Sequence, residues 1–298
     1  MAFALAFAVV WSLIEVFVTR LDQRYDLVQV EGVRFGVHLL LMLAVWSGAK
    51  GAPVWHTQRP VVQVLRGLCM LGLPFGFLAS LMLGASIPVA LTGLWLAPVF
   101  ALALAALFLR DRASAALWVC AVAGLAAVVC LLAPQRPHSL SLLVMPMLTG
   151  LSFALYLAFT RSLRHEPVQT NLFYVGLVGF LTLLPFMPGV WVSPDLRDAV
   201  LLVGVGLFGY LALWLLERSL RSWSLSHVAP LIYVHVVVLQ LLAIVFHGRS
   251  PSLRLLVGGA IIGVVALFVW RRASVLRQTR DGDSRTTSTL APLEEGSA

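Results

Sequence analysis

Long stretches of this chain are apolar at almost every position. Residues 35–47, 68–109, 113–133 and 199–216 carry hardly any charge. Such runs show neither the alternation of a half-buried strand nor the one-sided stripe of a surface helix. They are long enough to cross a hydrocarbon layer, which takes about 20 residues of helix. Inside that layer a segment must bond its own backbone, so each run predicts a transmembrane helix. The alternating pattern of a membrane β-barrel is absent. Ten helices are predicted, at about 2–19, 29–48, 62–83, 87–109, 114–133, 140–161, 170–189, 198–218, 226–247 and 253–271. Beyond Arg272 the pattern stops. Residues 277–298 are rich in Arg, Asp, Ser, Thr and Glu, and residues 273–298 read as a disordered cytoplasmic tail.

Composition agrees with an all-α integral membrane protein. Apolar residues make up 60% and charged residues 11% of the 298, and the mean hydropathy is +0.94. A soluble domain of this length needs more charge to cover its surface. The net charge of +8 does not point to nucleic acid, because the arginines are spread among short loops and the tail. They fit the positive-inside rule instead. With the N-terminus in the cytoplasm, 14 of the 21 Lys and Arg fall on that side and 7 on the other, so both termini are expected inside. Cys69, Cys120 and Cys130 lie in apolar segments without metal-ligand spacing and read as small hydrophobes. No metal and no cofactor is expected. The first apolar run starts at the second residue, without a basic leader or a clear cleavage site, and reads as a mature first helix. Twenty Arg to one Lys, with abundant Ala, Val and Leu, suggests a GC-rich bacterial gene and hence a bacterial inner membrane.

The chain also repeats itself. The fourth helix, Ala85-Ser-Ile-Pro-Val-Ala-Leu-Thr-Gly-Leu-Trp95, and the ninth, Trp223-Ser-Leu-Ser-His-Val-Ala-Pro-Leu-Ile-Tyr233, superpose at a shift of 138 residues. That shift lays Ser86 on Ser224, Trp95 on Tyr233 and Phe108 on Phe246. The first and sixth helices match at a similar shift, through Phe17-x-Thr19-Arg20 and Phe159-Thr160-Arg161. The expected organisation is a five-helix repeat over 1–137 and a second over 138–272. Five is odd, so the second repeat enters the membrane upside down relative to the first, an arrangement that places a substrate site near the midplane between the halves.

These segments resemble a known family. Pro98 followed by Phe108-Leu109-Arg110-Asp111-Arg112, then Ala229-Pro230-Leu231-Ile232-Tyr233 with Phe246-His247-Gly248-Arg249-Ser250-Pro251, and Gly258-Gly259-Ala260-Ile261-Ile262-Gly263, are similar to helix-end motifs of the ten-helix, EamA-type drug/metabolite transporters. Leu65-Arg66-Gly67 is similar to the branch related to S-adenosylmethionine and riboflavin transporters. The resemblance covers about residues 1–272. It implies transport of metabolites such as amino acids, nucleotide-related compounds or vitamins, without ATP. Glu217, Arg218, His227 and His235 depart from the family pattern.

Polar side chains in spanning helices are costly and tend to face a cavity or a partner. Glu15 is the one acid well inside the first helix, and Trp11 shares its face. The carboxylate is a candidate for binding a cationic group or carrying a proton. Tyr233 and Gln240 share a face of the ninth helix, and His235 lies nearly opposite. The Tyr233–Gln240 face is the expected cavity wall, because Trp95 is the repeat-equivalent of Tyr233; paired aromatics would stack on a planar or cationic substrate. Tyr156, the repeat-equivalent of Glu15, is expected in the same cavity. Tyr210 and Trp214, on one face of the eighth helix, complete the substrate-binding set. His235 is a second candidate for proton coupling. Arg34 and Arg66 are expected to snorkel from helix ends, and Glu217 to pair with Arg221.

The expected function is a secondary transporter, working as a monomer, that moves a small polar or amphipathic metabolite by alternating access. No GxxxxGK[ST] loop is present to bind a nucleotide phosphate. An integral membrane enzyme acting on lipid-like substrates is the first alternative, but HExxH, GxSxG and clustered-Asp motifs are absent. A channel or receptor is the second; neither a filter loop nor a ring of charge is visible.

Overall fold

The computed structural model describes residues 1–46, 53–111, 113–135, 139–247 and 250–289. Lys50, Arg112, Arg136, Gly248, Arg249 and residues 290–298 therefore lie outside the described residues. The described chain is helical almost throughout: α1 (Ala2–Leu21), α2 (Leu27–Trp46), α3 (Pro60–Met82), α4 (Ile87–Leu94), α5 (Ala97–Phe108), α6 (Ala115–Leu132), α7 (Val144–Ser162), α8 (Val168–Leu183), α9 (Met187–Val190), α10 (Leu196–Ser222), α11 (Leu225–Val228), α12 (Val234–His247) and α13 (Leu253–Thr289), with 3-10 turns at Leu140–Leu143 and Ala229–Tyr233. Nine segments among the described residues are long and apolar enough to span a bilayer. The seventh predicted span instead forms the 16-residue apolar helix α8, followed by the short α9. Two prolines explain the shortening: Pro185 cannot supply the N–H that would continue α8, and Pro188 opens α9. The final helix continues to Thr289, into the stretch whose composition predicts a tail from residue 273.

Two spans are discontinuous. The fourth is α4 and α5, separated at Trp95 and Leu96; the ninth is α11, the 3-10 turn and α12. Pro98 causes the first break, since it has no N–H to return to the Leu94 carbonyl one turn earlier. Both spans begin alike. Ser86 and Ser224, which the 138-residue shift superposes, sit in extended conformation immediately before Ile87 and Leu225.

Helices pack crosswise between the two parts of the chain. α1 lies along α10 and α12, while α7 lies along α3, α4 and α5; α2 contacts α8, and α6 contacts α13. Exchanging first, second, third, fourth and fifth spans of the two parts leaves this pattern unchanged. The close approach of α6 to the 3-10 turn depends on Gly124. A Cβ there would lie 2.3 Å from Cδ2 of Tyr233, so only glycine leaves room for the buried phenol. Of the cysteines, Cys120 is buried, Cys69 half-buried and Cys130 exposed on the outer face of α6.

Gly124→Ala should cost about 1–3 kcal/mol through overpacking. The expected readout is a lower unfolding temperature in detergent, recovered in part by adding Tyr233→Leu. An unchanged temperature for the single variant would show that Tyr233 is not held against α6.

Candidate functional site

Midway along the spans, a small cavity opens among α1, α3, α7 and the two helix breaks. Phe7, Trp11 and Glu15 face it from α1, four residues apart and hence on one side of that helix. Leu73 comes from α3 and Phe153 from α7. Leu94 and Trp95 stand at the first break, and Ile232 and His235 at the second. A wall of this composition is apolar and aromatic with a single carboxylate. The free space holds only about one or two waters.

The carboxylate is held from two sides. Trp11 Nε1 donates to Glu15 Oε1 at 3.1 Å, and His235 Nε2 lies 3.1 Å from the same oxygen. The Glu15 side chain keeps 34% of its surface accessible, whereas the His235 side chain keeps 1%. Glu15 is the one carboxylate among the residues lining the cavity. Behind the imidazole, Ser12 Oγ lies 2.9 Å from Nδ1 and 2.8 Å from the Ala8 carbonyl. A hydroxyl both donates and accepts, so Ser12 suits the neutral and the protonated ring alike.

Around this centre the aromatics form a chain. Trp95 packs against His235 with ring centroids 5.3 Å apart, Trp11 against Phe7 at 5.4 Å, and Trp11 against Phe153 at 6.3 Å. Phe153 stacks on Tyr156 with an interplanar angle of 10°. The Tyr233 hydroxyl donates to the Trp95 carbonyl at 3.2 Å.

Four of the residues singled out in the sequence thus meet at the cavity: Trp11, Glu15, Trp95 and His235. The others do not line it. Tyr233 turns into the slot at Gly124, and its partner on the same face, the half-buried Gln240, lies off the cavity with it; the wall is formed by the opposite face, that of His235. Tyr156 is buried beneath Phe153, with the Arg66 guanidinium 5.7 Å from its ring. Tyr210 packs edge-on to His38, and Trp214 packs against Phe3 with Arg218 above its ring. Phe7, Leu73, Leu94, Phe153 and Ile232 carry no signal that separates them from other apolar residues in a sequence this hydrophobic.

The buried arginines do not snorkel. Arg66 is completely buried; it donates to Glu217 at 3.0 Å, to Thr160 at 3.4 Å and to the Asn171 carbonyl. Asn171 in turn donates to Glu217 and accepts from Gln63 at 2.7 Å. Glu217 therefore pairs across helices rather than with Arg221 on its own helix. This network joins α3 to α7, α8 and α10. Towards the opposite end, Arg34 pairs with Glu31 at 3.0 Å, and Arg24 and Tyr25 both donate to Asp198, at 2.8 and 2.9 Å. Those last contacts tie the α1–α2 connector to α10.

In that connector the carboxyl of Asp22 is pushed up to about 6, first by partial loss of hydration and then by the Glu31 carboxylate. The folded protein holds this proton more tightly than the unfolded chain does. The charged form therefore penalises folding, and the penalty grows as pH rises from 3.8 through about 6. Asp22→Asn should raise the unfolding temperature at pH 7.5, and the gain should vanish as pH falls towards 4. A gain independent of pH would disprove the perturbed carboxyl.

Comparison with known proteins gives a consistent result. Residues 140–271 match the EamA-like transporter family. The S-adenosylmethionine uptake transporter of Rickettsia bellii (strain RML369-C) is 28% identical over 239 residues, covering 79% of this chain and 80% of that protein. The protein of the same name from Rickettsia conorii (strain ATCC VR-613 / Malish 7) is also 28% identical over 239 residues, with 79% of each chain covered. A solved crystal structure superposes with a TM-score of 0.78 at 20% identity, over 89% of this chain and 94% of that one, and shows the same fold.

Proposed function

We propose a substrate class and a transport cycle for this chain, a multi-pass membrane transporter whose residues 140–271 belong to the EamA-like transporter family and which lies in the S-adenosylmethionine-transporter-like branch of the drug/metabolite transporters. The substrate is a small organic cation with a planar group, and S-adenosylmethionine is its best representative. One observation carries this reading: a single partly accessible carboxylate, Glu15, inside an otherwise aromatic and aliphatic midplane cavity. Trp11 and Trp95 offer faces that attract a cation and stack a flat ring, worth about 0.5–2 kcal/mol each. Glu15 balances the positive charge. The similarity to proteins named S-adenosylmethionine uptake transporters supports the same choice.

The cycle is alternating access between two inverted five-helix halves, 1–137 and 138–272, in a bacterial inner membrane with both termini in the cytoplasm. The exchange-symmetric packing and the matched starts at Ser86 and Ser224 support the two halves. The Arg66–Glu217–Asn171 network, between helices of both halves, is the latch on one side, and the Arg24–Asp198 contact, between the α1–α2 connector and α10, is the latch on the other. Breaking one latch while the other holds opens the cavity to one face. A monomer contains every part of this cycle. A second feature bears on the driving force: the 3.1 Å contact of His235 with Glu15 lets a proton compete with a cationic substrate for the same carboxylate.

The test is flux of labelled S-adenosylmethionine into proteoliposomes of the purified protein, with counterflow and with an imposed pH gradient. Saturable uptake is expected, reduced about tenfold or more in kcat/KM by Glu15→Gln and by Trp11→Ala, in line with loss of a charge-assisted contact of about 1.5–3 kcal/mol. His235→Gln should keep counterflow and lose the response to the pH gradient. Failure of every cationic compound to show flux or counterflow in the folded wild-type protein would sink the proposal.

A further inference from the structure

We infer that Arg34, with His38 one turn along α2, forms a second subsite that receives the α-carboxylate of the substrate, a role resting on the S-adenosylmethionine-like reading of the cavity. Arg34 is 4% exposed and His38 1% exposed, yet Arg34 Nη2 and His38 Nε2 are both buried without a hydrogen-bond partner. Unpaired buried donors are rare and costly, and the one on Arg34 marks a place where a polar partner belongs. The guanidinium has been given room. A Cβ at Gly209 would come within 2.9 Å of Arg34 Nε, so α10 passes the side chain closely only because that residue is glycine.

The subsite adjoins the cavity. The Arg34 guanidinium carbon lies 5.2 Å from the centre of the Trp11 ring, and the same ring lines the cavity and holds Glu15 through its Nε1. One indole thus separates a carboxylate from a guanidinium. An amino-acid head group presents its charges in that way, with the cationic end towards Glu15 and the carboxylate towards Arg34. Arg34 Nη1 is committed to both oxygens of Glu31, which leaves Nη2 for the ligand.

Charge accounting agrees. Glu15, Glu31 and Arg34 together carry one net negative charge when His235 and His38 are neutral. A ligand with a sulfonium, an ammonium and a carboxylate carries one net positive charge and neutralises the set. An amine lacking the carboxylate carries two positive charges and leaves Nη2 unpaired. A site built to bond a charged group rejects the analogue without it, because its own polar group stays unsatisfied.

The experiment is equilibrium displacement of radiolabelled S-adenosylmethionine from the purified full-length transporter, by unlabelled S-adenosylmethionine and by its decarboxylated analogue. Wild-type protein should prefer the carboxylate-bearing compound by about tenfold or more, the scale of one charge-assisted hydrogen bond. Arg34→Gln should weaken S-adenosylmethionine to the level of the analogue or below it without weakening the analogue, and Arg34→Lys should restore part of the preference. Equal displacement by both compounds in wild-type protein would overturn the inference while sparing the cationic cavity, and this comparison needs no variant to fold. Equal weakening of both compounds by Arg34→Gln would reduce Arg34 to a structural residue and also overturn it. If neither compound binds the wild type, the substrate reading fails and the subsite fails with it.

Discussion

A backbone amide inside hydrocarbon has no water to bond, and the rest of this structure follows from that constraint. It forces every apolar run into helix, and it restricts where a helix can break. The two interruptions, at Trp95 and at Ala229–Tyr233, both lie in the interior, where other groups replace the missing bonds. The carbonyl of Trp95 accepts from the Tyr233 hydroxyl, so the second break helps to satisfy the first. Once two discontinuous helices face one another, side chains can leave the regular helical spacing. That freedom is what brings Trp95 and His235 onto one cavity beside Glu15.

Charge obeys the same rule at higher cost. Removing one partner of a buried pair costs about 3–5 kcal/mol, because the other charge is left uncompensated. Arg66 and Glu217 meet this demand with Asn171, Thr160 and Gln63 around them, and they do so between helices far apart in the chain. A pair in which each group has several partners holds one arrangement well and a half-formed one badly. Glu15 differs. Its partners are an indole N–H and an imidazole, and it remains partly accessible, so it keeps capacity to bind.

Much of the architecture was legible in the sequence, since apolar length and backbone satisfaction leave one solution. Nine long apolar spans among the described residues and the meeting of Trp11 with Glu15 follow from spacing along single helices. The exception is α8, where Pro185 and Pro188 cut the predicted span short. The site was half legible. Helical periodicity says that Tyr233 and His235 point apart, but not which one faces the cavity; Gly124 on another helix decides that. Arg66 lies near a helix start, which by itself suggests snorkelling, and only the packing of α3 on α8 and α10 reveals its partners. Glu217 had a plausible partner four residues away, yet the one it takes is 151 residues distant.

Trp95 and Tyr233 stand at the two helix breaks and take different roles. The 138-residue shift makes them counterparts, and in the folded chain they touch, with ring centroids 6.3 Å apart. One lines the cavity and the other wedges against α6. Were both to face the cavity, two large rings would meet at the centre and fill a space already small. Because Gly124 draws one ring away, the vacated position falls to His235, two residues on, and the second break contributes an imidazole where the first contributes an indole. The cavity therefore presents different chemistry at its two breaks, an indole face at the first and an imidazole at the second, with the Glu15 carboxylate supplied by α1. That difference makes the cavity asymmetric, with Glu15 and His235 as its polar groups and Trp95 as an aromatic face.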